Sequence, residues 1–215
     1  MSRITVIGGT GYAGSAIVAE ATARGHEVTA FSRSAPAEPV PGVRHVQGDA
    51  ADEAALAEVV AGADVVVGAI APRGPLATGF RDVYATIGRL ADAEKARLFI
   101  VGGFSSLRPA AGAPRFATDL GHAPAEYHEE LVTVAALIAE DLPATAESLD
   151  YVFVSPAGGF GAHVPGERRG EYRVGDDVAL QPDGGGAIGG ADFALGVVDL
   201  IERNSHHRAH VNLAY

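Results

Sequence analysis

Short runs of apolar residues recur along the chain at 4–7, 28–31, 43–46, 64–69, 98–101 and 151–154. Several are rich in β-branched residues and show no polar alternation, as in Val65-Val66-Val67. A strand covered by helices on both faces reads this way, whereas a strand with one wet face alternates. Between the runs the apolar spacing lengthens to the helical period, which predicts helices over 12–24, 52–60, 79–95 and 123–140. Strand and helix alternate, so the expected class is α/β with a doubly wound parallel sheet and right-handed crossovers. The punctuation agrees. Gly25 follows Arg24 as a helix-ending glycine, Asp52 is placed to cap the helix carrying Leu56, Val59 and Val60, and Gly62 is placed to end it. After Val154 the pattern degrades into Gly- and Pro-rich sequence over 155–190, with a short hairpin expected around 172–180. Gly184-Gly185-Gly186 reads as a flexible turn rather than a boundary. A last helix at 191–203 and a last strand at 210–214 close the chain. With no repeat and no clear linker, residues 1–215 are expected to form a single domain, to which 155–190 contribute a small C-terminal lobe on the substrate side.

The sharpest local signal is Gly8-Gly9-Thr10-Gly11-Tyr12-Ala13-Gly14, set between the first strand and the first helix. It holds two overlapping patterns, G-x-G-x-x-G from Gly9 and G-x-x-G-x-x-G from Gly8. Either alone is weak; between a strand and a helix it predicts a Rossmann-type dinucleotide-binding turn. The chain must turn sharply, the backbone must approach a pyrophosphate, and the helix N-terminus must offer free N–H donors. The alternative is a plain tight turn. In NAD binders a carboxylate about 20 residues on takes the ribose hydroxyls. Here the second strand ends Ser32-Arg33-Ser34, with no carboxylate. A guanidinium flanked by two hydroxyls suits a 2′-phosphate, so NADP(H) is expected in preference to NAD(H); a solvated loop arginine is the other reading. Gly48-Asp49-Ala50 closes the third strand region, where Asp49 either meets the adenine or simply forms a turn. Ala69-Ile70-Ala71 follows the fourth strand, with side chains small enough for the cofactor ribose to pass close to the backbone.

Composition narrows the partners. A net charge of −11 argues against nucleic acid and anionic membranes. Zero cysteines exclude disulfides, thiolate metal sites and cysteine nucleophiles. The opening apolar run is too short for a signal peptide and no window is long enough to span a bilayer, so a cytoplasmic protein, a monomer or homodimer, is expected. His206, His207 and His210 lack ligand spacing and read as a surface turn, so no metal is expected. No G-x-S-x-G elbow supports hydrolysis.

Taken together, the Gly8–Gly14 turn, Arg33, Gly48-Asp49, Gly102-Gly103 with Ser105-Ser106, the Ser155-Pro156-Ala157 segment and Asp192-Phe193-Ala194 resemble the atypical short-chain dehydrogenase/reductase superfamily. Within it, the chain is most similar to the small NAD(P)H-binding group of NADH-flavin reductase-like, biliverdin-reductase-B-like and NmrA-like proteins. The resemblance covers most of the chain. It implies cofactor contacts at Gly8, Thr10, Gly11, Tyr12, Ala13, Gly14, Ser32, Arg33, Asp49, Ala50, Ala69, Ile70, Ala71, Gly102, Gly103 and Pro156. It places Ser105 where the family's active-site hydroxyl lies and makes Tyr127 the tyrosine to test.

Catalytically complete members pair a Tyr with a Lys four residues on, which lowers the tyrosine pKa. Four residues after Tyr127 stands Leu131, and four after Tyr84 stands Gly88, so the dyad is missing. Hydride transfer survives that loss when the acceptor is already electrophilic. The expected function is therefore an NADP(H)-dependent reductase of a small planar acceptor, a flavin (FMN or FAD as substrate) or a quinone. An acceptor pocket walled by Phe104, Phe116, Tyr127 and Phe160 is expected, with His122 and His128 flanking Tyr127 as minor candidates for proton transfer. The alternatives are an NmrA-like dinucleotide sensor without turnover and, disfavoured by the missing Lys, an epimerase or dehydratase.

Overall fold

The computed structural model describes residues 1–181 and 187–215. The Gly184-Gly185-Gly186 turn and the side chain of His122 lie outside the described residues. The strands are β1 (Arg3–Ile7), β2 (Glu27–Ser32), β3 (Arg44–Gln47), β4 (Val65–Gly68), β5 (Arg97–Val101), β6 (Tyr151–Pro156), β7 (Arg173–Gly175) and β8 (Ala209–Ala214). The helices are α1 (Tyr12–Ala23), α2 (Glu53–Val60), α3 (Phe80–Glu94), α4 (His128–Ala136), α5 (Leu142–Ala144) and α6 (Gly190–Glu202). All eight strands form one sheet in the order β3-β2-β1-β4-β5-β6-β8-β7. Every pairing is parallel except β7 with β8. The order reverses between β1 and β4, so this is the doubly wound Rossmann arrangement with its crevice beyond the carboxyl ends of those strands.

Why the strands lack polar alternation is visible in the packing. Val65, Val67 and Phe99 face a layer built by Ile17, Val18 and Ala21 of α1 and by Phe193, Val197 and Val198 of α6. Val66, Leu98 and Ile100 face the opposite layer, built by Leu56 and Val59 of α2, Val83 and Ile87 of α3, and Leu137. The central strands β1, β4, β5 and β6 bury both rows of side chains, and both rows are largely apolar, while the outer β3 and β7 stay partly exposed.

The helix ends follow their sequence signals. Gly25 takes φ +81, its N–H bonds the Thr22 carbonyl and the His26 N–H bonds the Ala21 carbonyl, a Schellman closure. Asp52 accepts from the Ala54 and Ala55 N–H groups at the start of α2. Two expectations need correction. The helix expected over 123–140 opens as a 3₁₀ turn (Ala125–Tyr127), runs as α4, and widens into a π turn over Leu137–Asp141. Pro143, inside α5, cannot donate an α-helical bond and crowds the carbonyl one turn back, so the preceding turn opens. The hairpin expected around 172–180 does not form. Only β7 is strand, and it pairs with β8 rather than with a local partner. The remaining donors go elsewhere: Leu180 N–H to Asn212 Oδ1 (2.8 Å) and Ala179 N–H to the Arg108 carbonyl (2.9 Å).

His210, expected in a surface turn, is instead on β8 inside this edge of the sheet. Arg115 donates to its Nδ1 (3.0 Å), which leaves the proton on Nε2 to donate to Ser155 Oγ (2.8 Å). Burial, with Arg115 beside it, pushes the imidazole down to about 3. The unfolded chain therefore binds a proton below about pH 6.5 that the folded chain refuses, and stability falls as pH drops through that window. We expect a loss of about 2 kcal/mol between pH 7 and pH 5 from this group. Denaturant unfolding at both pH values checks it: His210→Gln should flatten the dependence, and an unchanged slope would contradict this account.

Candidate functional site

The turn from β1 into α1 is held closed by three glycines. Gly8 takes φ +91, and a Cβ there would lie 2.3 Å from the Ala69 carbonyl oxygen. A Cβ on Gly9 would lie 2.8 Å from the Ala30 Cβ, and one on Gly14 would lie 2.1 Å from the Gly8 carbonyl oxygen. None of the three can carry a side chain without moving backbone or sheet. Gly11 is different. Its φ is −73 and the nearest atoms to an added Cβ are the Gly8 oxygen at 3.3 Å and the Ala69 oxygen at 4.0 Å. Little in the protein requires glycine there, and the space it leaves lies in a cleft.

Gly11 also caps α1 without a side-chain hydrogen bond, and the helical ladder begins only with Ser15 N–H on the Gly11 carbonyl (2.8 Å). The amides of Tyr12, Ala13 and Gly14 precede that ladder, at the positive end of the helix dipole. A bare backbone at Gly11 in front of such an end fits a diphosphate.

The cleft at this point has a volume of about 300 Å³ and is walled by Gly8, Thr10, Gly11, Ser32, Arg33, Ser34, Asp49, Ala50, Ala69, Ile70, Ala71 and Arg73, among others. Arg33 is exposed, and among the described residues no group holds its guanidinium. The Ser32 hydroxyl is turned onto the Ser34 carbonyl (2.8 Å), so it serves the local turn. Asp49 likewise accepts from Ala51 N–H with Oδ1 (3.0 Å) while standing in the cleft wall.

A second cleft of about 700 Å³ continues from the first, sharing Ala69, Ile70, Ala71 and Arg73. Its walls include Tyr12, Ala13, Gly102, Gly103, Pro156, Phe80, Phe104, Phe153 and Phe160. Gly102 must be glycine: a Cβ would meet the Phe153 ring at 2.1 Å. Phe104 is 37 % exposed and stacks on Phe116 at 4.8 Å between centroids. The polar members are Arg73, Glu130 and His163. Arg73 is ion-paired with Glu130, whose carboxylate raises the guanidinium pKa above its ordinary value. The Tyr12 hydroxyl is committed to structure: it donates to the Pro165 carbonyl (2.6 Å) and accepts from Gly190 N–H (2.9 Å).

Two residues singled out for chemistry do not wall either cleft. Ser105 sits behind Gly103 in a 3₁₀ turn (Phe104–Ser106), and Tyr127 is 41 % exposed at the start of α4, beneath the Arg73 guanidinium (5.7 Å). Phe116 supports Phe104 from behind. His128 Nε2 is bound to the Ala123 carbonyl (2.8 Å), where it braces the turn. Phe80, Arg73, Glu130 and His163 carry no local motif. They reach the cleft because the crossovers after β4, β5 and β6 all open on the same edge of the sheet. Among the described residues no group of His, Asp and Glu is arranged for a metal ion. Among the described residues no helix is long and apolar enough to cross a membrane.

Residues 8–204 match the NAD(P)H-binding family. The chain belongs to that family. An uncharacterized protein of Bacillus subtilis is 33 % identical over 210 residues, covering 95 % of this chain and 94 % of that protein. Two solved structures superpose along the whole chain. One, a candidate epimerase from Bacteroides thetaiotaomicron, has a TM-score of 0.86 at 30 % identity, covering 100 % of this chain and 97 % of that one. The other, a candidate NADH-flavin reductase from Streptococcus pneumoniae, has a TM-score of 0.85 at 28 % identity, covering 100 % and 99 %. A 2-alkyl-3-oxoalkanoate reductase of Stenotrophomonas maltophilia is 45 % identical over 65 residues, 30 % of this chain and 20 % of that enzyme.

Proposed function

We propose that this chain is an NADP(H)-dependent oxidoreductase that passes a hydride to a small planar acceptor, a flavin or a quinone. The bound cofactor would supply the hydride; the protein's part is to hold both partners and to keep water from the space between them. Gly11 and the first amides of α1 would take the diphosphate, Arg33 the 2′-phosphate, and Asp49 with Ala50 the adenine side. Gly102, Gly103 and Pro156 would back the nicotinamide half.

One observation carries the choice of acceptor. The larger cleft is aromatic and apolar, joins the dinucleotide cleft directly, and contains no lysine. The chain has a single lysine, Lys95, and it follows α3 at the amino ends of the strands, across the sheet from the cleft. Without a lysine beside a tyrosine, the tyrosine–lysine base of alcohol oxidation is missing, whereas a flavin or quinone needs alignment and takes its proton from water or from a nearby donor. Ser105 and Tyr127 stand outside that space and would act by shaping the loops around it. The candidate NADH-flavin reductase from Streptococcus pneumoniae supports the same reading through its shared fold and sequence.

Steady-state oxidation of NADPH with and without FMN or a quinone tests it. Turnover that depends on the acceptor is the expected result; tight nucleotide binding with no acceptor reduced would overturn it in favour of a sensor. Arg33→Ala should weaken NADPH by about tenfold or more and leave NADH nearly unchanged, the scale of one charge-assisted contact. Equal losses for the two nucleotides in a calorimetric titration would refute the phosphate role.

A further inference from the structure

Among the described residues, the titratable side chains walling the larger cleft are Tyr12, Arg73, Glu130 and His163. The first three are committed. The Tyr12 hydroxyl donates to the Pro165 carbonyl and accepts from Gly190 N–H. Glu130 takes two Arg73 N–H groups, at 2.5 and 2.9 Å, and the pairing makes the guanidinium hold its proton more tightly still. His163 is the exception: among the described residues no group hydrogen-bonds or ion-pairs its ring.

The position of that ring is built. His163 sits in a tight turn, 161–164, closed by Val164 N–H on the Gly161 carbonyl (2.9 Å). The imidazole lies against bare backbone, since a Cβ on Gly161 would come within 2.7 Å of its Cε1 and Nδ1. On one side Phe160 fastens the turn, its ring meeting Tyr12 at 5.1 Å and the buried Phe193 at 4.7 Å. On the other side Tyr12 fastens it at the Pro165 carbonyl. An imidazole is thus presented to an aromatic cleft, and its exposure lets it recover a proton from solvent.

We propose that His163 is the general acid of the reaction and that the acceptor it serves is a quinone. The proposal rests on the reductase reading above and narrows it. The electron pair that arrives with the hydride enters the quinone; one oxygen gains the transferred hydrogen and the negative charge gathers on the other. At that second oxygen an imidazolium N–H bond breaks as an O–H bond forms, hydroquinone results, and water returns a proton to the ring. NADPH, one proton and quinone thus give NADP⁺ and hydroquinone. Imidazole suits the task because its charge changes near neutral pH. Arg73 cannot replace it, because a guanidinium does not give up its proton.

Two planar acceptors separate the proton from the hydride. Menadione needs both, whereas N-methylphenazinium, a cation, becomes neutral on taking a hydride and needs no proton. His163→Gln keeps the approximate volume and an N–H donor but has no proton to give. Its kcat with menadione should fall by about 100-fold, the lower end of what a positioned general acid contributes. Its turnover of N-methylphenazinium, above the uncatalysed rate, should stay within about threefold, and its NADPH affinity within about twofold. A second readout needs no turnover. 2,4-Dinitro-1-naphtholate is a planar oxyanion, and an opposite charge beside an imidazole favours the protonated ring. Calorimetry in two buffers of different ionisation heat, at about pH 8, should show the wild type taking up about half a proton on binding it and His163→Gln taking up none. A variant that keeps menadione turnover, loses both acceptors alike, or takes up the same proton overturns the role of His163. Wild-type protein that reduces FMN but not menadione overturns the quinone and leaves the reductase reading standing; wild-type protein that reduces none of the three acceptors overturns both.

Discussion

Gly11→Val should separate binding from folding. The variant is expected to keep its far-UV circular dichroism and to unfold within a few degrees of the wild type, yet to lose NADPH and NADH by about 100-fold or more. The reasoning is geometric. Gly11 has an extended backbone, φ −73 and ψ 168, which a β-branched residue adopts readily. Its added Cβ needs only a few tenths of an ångström from the Gly8 carbonyl, at 3.3 Å. The branched methyls would then occupy the cleft in front of the free amides of α1, where a diphosphate must come within hydrogen-bond distance. Gly14→Ala is the instructive contrast. Its Cβ would fall 2.1 Å from the Gly8 oxygen, so that variant should lose stability together with binding. Isothermal titration beside thermal unfolding checks both, and a Gly11→Val protein that still binds either nucleotide would show that the diphosphate rests elsewhere.

The contrast between the two glycines marks what a sequence shows and what it hides. The pattern Gly8 to Gly14 announces a turn and a dinucleotide, because strand period, helix period and glycine spacing are all local properties. Which glycine answers to the ligand and which to the Ala69 carbonyl depends on β4 lying beside β1, a pairing 61 residues away in Ile4↔Val65. The same limit explains the rest. The apolar runs of the central strands are legible because each of those strands buries two rows of side chains, whereas the run 43–46 falls on the half-buried β3. β7 is not legible, since its three residues are strand only by virtue of their pairing with β8. Position alone points to Tyr127, but the 3₁₀ opening of α4 leaves it at the surface, whereas Phe80, Glu130 and His163 enter the cleft from three separate crossovers with no motif to mark them.

Asp192→Ala should produce a large loss of stability away from the apolar core, about 2–3 kcal/mol, with an unfolding midpoint lower by roughly 5–10 °C. The carboxylate is fully buried at the start of α6. It accepts from the Arg169 N–H (2.6 Å), the Gly170 N–H (2.9 Å) and the Tyr215 hydroxyl (2.8 Å). Alanine would take the acceptor from the Arg169 and Gly170 N–H groups, while the Tyr215 hydroxyl keeps the Glu167 carbonyl (2.7 Å). The consequence reaches the cleft. The stretch from Gly159 to Arg169 brings Phe160 and His163 to the acceptor side; Tyr12 holds it at the Pro165 carbonyl, Tyr215 at the Glu167 carbonyl, and Asp192 at Arg169 and Gly170. With the Asp192 contacts gone, the wall formed by Phe160 and His163 should loosen, while the Gly8–Gly14 turn keeps its own hydrogen bonds from Gly8 and Gly9 N–H to the Phe31 carbonyl and keeps its shape. Acceptor kcat/KM should therefore fall by about tenfold or more, the penalty of a misaligned reacting pair, with nucleotide affinity changed by less than about threefold. An Asp192→Ala protein that melts at the wild-type temperature, or one that loses nucleotide and acceptor in equal measure, would mean that this carboxylate does not hold the acceptor wall as described.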